Sequence, residues 1–144
     1  MPTLNTDIYV EATPKTCYQL VSDMERFPEF IPTVDEIKVI ERGEGWTISR
    51  WVAQFQKRPV VWTERDDFDD EALTIDYDQV EGDLRYFRGQ WRFEPEGSGC
   101  RIHLSVSASL GVPMLSAALD PLVNKIVRDN AKAMLEAIKS ELES

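Results

Sequence analysis

Apolar residues along this chain follow two periods. Between residues 34 and 109 they alternate with polar ones in short segments, near 34–41, 46–55, 60–68, 72–80, 84–94 and 100–109. That is the period of a strand with one face covered. Turn signals separate the segments: RGEG (42–45), QKRP (56–59), DDEA (69–72), EGD (81–83) and EPEGSG (94–99). An earlier segment, LNTDIYVEA (4–12), sets Ile8 and Val10 on one face. The pattern predicts an antiparallel meander. Helical spacing appears elsewhere. PKTCYQLVSD opens with Pro14 at a first helical position. In LDPLVNKIVRDNAKAMLEAIKSELES, Asp120 reads as an N-cap and Pro121 as the first helical residue. Leu122, Val123, Ile126, Asn130, Ala133, Met134, Ala137 and Ile138 then recur at helical spacing. Such a helix is too apolar on one side to stand alone, and it must lie across the sheet. Between the two helical stretches, DMERFPEFIP (23–32) spaces Met24, Phe27 and Ile31 about one turn apart but carries Pro28 and Pro32. It predicts two short helices that plug the open end of the sheet with Phe27, Phe30 and Ile31.

Pairing the hairpins by alternation sorts the side chains into two faces. Phe93 pairs with Ile102, Trp91 with Leu104, Gly89 with Val106 and Phe87 with Ala108. Tyr77 is set opposite Phe87, Ile75 opposite Gly89 and Leu73 opposite Trp91. Phe68 is set opposite Leu73, Asp66 opposite Ile75 and Glu64 opposite Tyr77. Val60, Trp62, Ile75, Tyr77, Phe87, Trp91, Leu104 and Val106 then share the inner face, while Arg65, Arg88, Arg92, Arg101 and His103 share the outer one. His103, the only histidine, is therefore expected at the surface. Gly89 sits mid-strand on the inner face, where it weakens the strand but lets another element or a ligand approach. Glu64 and Asp66 also fall inward, and buried carboxylates are costly unless paired or hydrogen-bonded. They fit either a bulge or wet edge, or a cavity lined by acids with Tyr77 beside Glu64. The strand WTISRWVAQF has two readings. A two-residue turn after Gln56 turns Trp51, Ala53 and Phe55 inward. A three-residue turn turns Ile48, Arg50 and Val52 inward, with Arg50 opposite Glu64.

Composition narrows the function classes. The 144 residues, 42% hydrophobic and 29% charged, suffice for one domain, 1–144, with one core. The net charge of −10 argues against a nucleic-acid or anionic-membrane surface, which needs a basic patch. Two cysteines without a CxxC, and one histidine, exclude a conventional zinc site and suggest free thiols in a reducing compartment. The start MPTLNTDIYV lacks the basic and apolar regions of a signal peptide, and no apolar run is long enough to span a bilayer. A cytoplasmic protein with no cofactor is expected.

The order is strand, two short helices, meander and long C-terminal helix. It resembles the helix-grip fold of the START-like superfamily: an α+β fold whose curved six- to seven-stranded antiparallel sheet wraps around the C-terminal helix. CYQLVSDMERFPEFIPTVDEIKVIER, WTERDDFD and EGDLRYFRGQWRFEPEGSGCRIHLSVS resemble segments of its polyketide cyclase/dehydrase and coenzyme-Q-binding families. The resemblance implies a hydrophobic cavity between sheet and helix for a lipid, isoprenoid quinone or polyketide. Phe27, Phe30, Trp51, Trp62, Ile75, Tyr77, Phe87, Gly89, Trp91, Leu104, Ile126, Asn130 and Met134 are its candidate ligand-binding residues. In the aromatase/cyclases such a pocket is thought to steer ring closure with a strand arginine, hydroxyl groups and water. Arg50 is the position that matches that arginine, with Ser49 beside it and Tyr77 as a further hydroxyl. The superfamily hosts different activities on one scaffold, so three readings follow. The first is a binding protein for a hydrophobic small molecule. The second is a cyclase or dehydratase, with Glu64, Asp66 and Tyr77 as acid–base candidates and Arg50 to stabilise an enolate-like charge. The third is an interaction protein resembling ribosome-associating growth regulators.

Overall fold

The computed structural model describes residues 3–55, 57–109 and 116–144, the last stretch with side chains from Asn124 onward. Seven antiparallel strands form one sheet: β1 (Leu4–Val10), β2 (Val34–Gly43), β3 (Trp46–Phe55), β4 (Arg58–Asp69), β5 (Thr74–Gly82), β6 (Tyr86–Glu96) and β7 (Gly99–Ser109). Their spatial order is β1-β7-β6-β5-β4-β3-β2, a meander whose last strand returns beside the first. Bulges in β2, between Val34 and Glu36 and between Val39 and Glu41, and one in β5, where Val80 is the extra residue opposite Thr63 and Glu64, bend the sheet. Helix α1 (Pro14–Ser22) opens as its sequence predicts. Pro14 stands in the first turn and the Thr13 hydroxyl accepts from the Thr16 amide at 3.2 Å. A single 3-10 turn, Met24–Arg26, and the one-turn helix α2 (Phe27–Phe30) follow.

The plug predicted for DMERFPEFIP is present. Phe27 is fully buried and stands edge-on to Trp51, with ring centroids 5.9 Å apart. Helix α3 (Ser116–Glu143) lies over the sheet and buries Val127, Ala131, Leu135 and Ile138. Two corrections concern this helix. It begins at Ser116, not at Asp120–Pro121, because Ser-Ala-Ala-Leu upstream extends it with good helix formers. Its buried stripe also runs one residue later than the spacing suggests, so Ala133 is exposed and Ile126 stands at the margin. The side chains of Leu122 and Val123 lie outside the described residues. At its far end α3 fastens onto the edge strand. Lys139 Nζ donates to the Tyr9 carbonyl at 2.7 Å, and Glu143 accepts from the Glu11 amide at 2.8 Å. These bonds cover part of an edge that would otherwise invite another strand. Among the described residues no helix is long and apolar enough to cross a membrane.

The β6–β7 register is the one predicted: Phe87, Gly89, Trp91 and Phe93 face Ala108, Val106, Leu104 and Ile102. The two neighbouring hairpins are displaced by two residues. Ile75 faces both Phe68 and Trp91, and Tyr77 faces both Asp66 and Gly89. The cause is the turn after β4. Asp69 Oδ1 accepts from the amides of Glu71 and Ala72, and Leu73 takes a left-handed φ of 57°. Leu73 therefore belongs to the turn rather than to the strand. An even displacement leaves every side chain on its predicted face.

Candidate functional site

Between the inner face of the sheet and α3 lies a small apolar cavity of about 60 Å³. Its wall carries Trp51, Trp62, Tyr77, Phe87, Trp91 and Leu104 from the sheet, with Asn130 and Met134 from α3, all expected from the sequence. Glu64 is at its edge. Trp51 and Trp62 are cross-strand partners, stacked with centroids 5.4 Å apart and planes 18° from parallel. Phe87 leans on Trp62 at 5.1 Å. Ligand sites for drug-sized molecules run to roughly 300–1,000 Å³, so these rings fill most of the space a large ligand needs.

Several expected residues stand elsewhere. Arg50 points outward, where it forms an ion pair with Glu36 at 3.9 Å, and Ser49 is the residue opposite Glu64. The short β3–β4 turn pairs Phe55 with Arg58, and this puts Trp51 and Ala53 inside and Arg50 outside. The arginine that the resemblance implies for the pocket is thus absent at that position. Gly89 is correctly placed on the inner face but does not line the cavity. A Cβ there would lie 1.9 Å from the Ser105 carbonyl oxygen and 2.5 Å from the Tyr77 hydroxyl. The room it leaves is used by Tyr77, whose hydroxyl crosses the glycine to donate to the Ser105 carbonyl at 2.7 Å. Phe27 and Ile75 are buried behind the wall, and Phe30 packs against Phe27. Neither these three nor Ile126 forms part of the lining.

Sequence reasoning missed Thr33, Val34, Gln54, Val127 and Ala131 as lining residues. Val127 and Ala131 carried a signal, since they share the helical face of Asn130 and Met134. Thr33 and Val34 follow the proline-broken turns, whose direction no periodicity fixes.

The polar groups give the site its chemistry. Glu64 and Asp66 are 2% and 0% exposed. Glu64 Oε1 accepts from Trp62 Nε1 at 2.8 Å. Asp66 Oδ2 accepts from the Ser49 hydroxyl at 2.8 Å and from Thr47 at 3.3 Å, and Ser49 in turn accepts from Trp51 Nε1 at 2.9 Å. Burial, and then the charge of Asp66, push the Glu64 carboxyl well above the ordinary carboxylate range. Burial raises Asp66 too, but the hydrogen bonds from Glu64, Ser49 and Thr47 pull it back. Two adjacent carboxylates cannot both ionise in a dry interior. The pair therefore holds a proton between them. Asp66 Oδ1 is buried and accepts no hydrogen bond from the protein. The Tyr77 phenol is held neutral by burial and by these acids. Asn130 Nδ2 is buried without a partner on the cavity wall.

A curved antiparallel meander gripping a long C-terminal helix is the helix-grip fold. The chain belongs to the polyketide cyclase/dehydrase and lipid transport family, whose model matches residues 10–135. It is 30% identical over 117 residues to the actinorhodin polyketide synthase bifunctional cyclase/dehydratase of Streptomyces coelicolor, covering 76% of this chain but 37% of that one. It therefore spans little more than a third of that relative's length. It is 24% identical over 126 residues to the ribosome association toxin RatA of Pseudomonas aeruginosa, covering 87% of each chain. Among solved structures, TTHA0849 of Thermus thermophilus superposes with a TM-score of 0.93 at 31% identity, covering 98% of this chain and 97% of that one.

Proposed function

We propose that this protein binds a hydrophobic, flat small molecule between the sheet and α3. The observation that carries the reading is the apolar cavity walled by stacked tryptophans, with one unpaired donor, Asn130 Nδ2, on its surface. A donor buried without a partner is costly, and a ligand carbonyl or hydroxyl oxygen offsets that cost. The ligand class is thus an aromatic or isoprenoid body bearing at least one acceptor oxygen, such as a lipid, a quinone or a polyketide. Because the cavity is about 60 Å³, binding moves Trp62 or Phe87 aside. Native mass spectrometry of the purified protein, followed by organic extraction, tests this reading. A co-purifying compound of that class supports it. Failure to take up any quinone, lipid or polycyclic aromatic probe overturns it. Asn130→Leu is expected to weaken binding about tenfold, the loss of one hydrogen bond to a buried acceptor.

Glu64 favours a second reading. A protonated carboxyl at the edge of an apolar pocket can act as a general acid, as a cyclase or dehydratase requires. The likeness to a bifunctional cyclase/dehydratase supports it. Turnover of a poly-β-ketone mimic, lost in Glu64→Gln, is the expected result; equal turnover in the variant removes Glu64 from the chemistry. The RatA likeness supports a third reading, ribosome association, which co-sedimentation with ribosomes tests.

A further inference from the structure

Glu64 faces the apolar cavity, and its neighbour Asp66 faces another. A chamber of about 30 Å³ lies on the far side of Asp66, walled by Ser22, Asp23, Met24, Thr47 and Ser49. Two polar atoms in its lining residues are buried with no hydrogen bond inside the protein, Ser22 Oγ and Asp66 Oδ1. The Tyr18 hydroxyl near Ser22 donates instead to Asp70 at 2.6 Å. A polar space of this size holds one or two waters. It adjoins an open cleft of about 510 Å³ between α1 and the β2–β3 hairpin, and the two share Ser22, Asp23, Arg42, Thr47 and Phe68. The acid pair therefore spans the wall between a dry pocket and a wet antechamber.

We propose that the Glu64–Asp66 pair carries one shared proton and that this proton exchanges with solvent through the antechamber behind Asp66, not through the apolar pocket. As Glu64 gives its proton to an oxygen in the pocket, Asp66 becomes the acceptor for the next one. A water in the antechamber passes a proton to Asp66, bulk solvent replaces it, and the shared proton is restored. The net movement is one proton from solvent to the ligand oxygen, and no other bond changes. Charged and titratable groups around the path are Asp23 and Glu25 from the turn after α1, Arg42 from β2, Asp67 from β4 and Tyr77 from β5. The inference deepens the acid–base reading of the same pocket. Its test follows the proton rather than the reaction, so the two fail separately.

Infrared spectroscopy of the ligand-free protein reads the protonated carboxyl directly. A carboxyl C=O band is expected at neutral pH and is lost in Glu64→Gln. On mixing with heavy water its isotope shift reports exchange. Ser22→Leu, which fills the antechamber, is expected to slow that shift at least tenfold. Ala53→Leu, which fills the apolar pocket, leaves it unchanged, and Ser22→Ala, which keeps the antechamber open, also exchanges fast. Thermal melting selects variants that fold, and Ser22→Val substitutes if Ser22→Leu does not. No carboxyl band at neutral pH overturns the shared proton. Exchange slowed by Ala53→Leu and untouched by the Ser22 fillings overturns the route.

Discussion

The fold opposes the ionisation of Glu64 by burying it beside a second acid. Its raised pKa means that the folded protein keeps a proton which the unfolded chain releases above about pH 4.5. The stability that this proton contributes is complete below that value and is lost as pH rises through the folded pKa. Glu64→Gln keeps an acceptor for Trp62 and offers an amide donor to Asp66, but has no proton to lose. Urea denaturation from about pH 5 to about pH 8 is therefore expected to show the variant gaining on the wild type, by at most about 1.4 kcal/mol per pH unit. A constant difference across that range would mean that Glu64 ionises normally. Glu96, Asp129 and Glu143, held below the ordinary carboxylate range by Arg101, Lys125 and the Glu11 amide, lose their contributions on the acid side, and Asp66, which burial also raises, is present in both proteins. The sequence showed both acids on the inner face, since alternation alone puts them there. It could not show that Ser49, Thr47 and Trp62 satisfy them. The Ser49 and Thr47 contacts depend on the β3–β4 register, which the length of one turn decides.

At the scale of elements, the short helices of DMERFPEFIP matter more than their length suggests. Phe27 occupies the junction of Trp51, Trp91 and Phe30, with ring centroids 5.9–6.3 Å away. Phe27→Ala removes the ring and leaves a hole that a proline-stiffened turn does not close. The expected cost is about 3–5 kcal/mol, read as a lower urea midpoint at unchanged slope. A cost below about 1 kcal/mol would show that the plug collapses onto the gap. The same hole adjoins Trp51 on the cavity wall, so a surviving variant should take up larger aromatics than the wild type. The strands were legible in the sequence because alternation and turn residues agree. The helix stripe was legible to within one residue, an error that moved Ile126 out of the pocket and hid Val127 and Ala131. Gly89 misled in another way. A glycine on an apolar face signals a close approach, but its partner is the Tyr77 side chain on the neighbouring strand, and only the register identifies it.

For the whole molecule, the sequence conveyed the architecture far better than the site. Fold follows from period, turn and cap signals distributed along the chain, and errors of two residues in register leave the faces intact. The pocket depends on which few side chains converge, and there one turn length exchanged Arg50 for Trp51. The acidic surface belongs to the same scale. A charge of −10 over 144 residues disfavours contact with ribosomal RNA, which sets the RatA-like reading against the electrostatics of the chain.

The stacked indoles of Trp51 and Trp62 have an optical consequence. Two chromophores 5.4 Å apart couple their electronic transitions, so the protein carries its own exciton pair in the wall of the cavity. Far-ultraviolet circular dichroism should show a couplet that either Trp51→Phe or Trp62→Phe abolishes. A ligand that moves Trp62 aside would extinguish the same couplet without any label, so occupancy of the pocket can be followed in the dichroism of the protein itself.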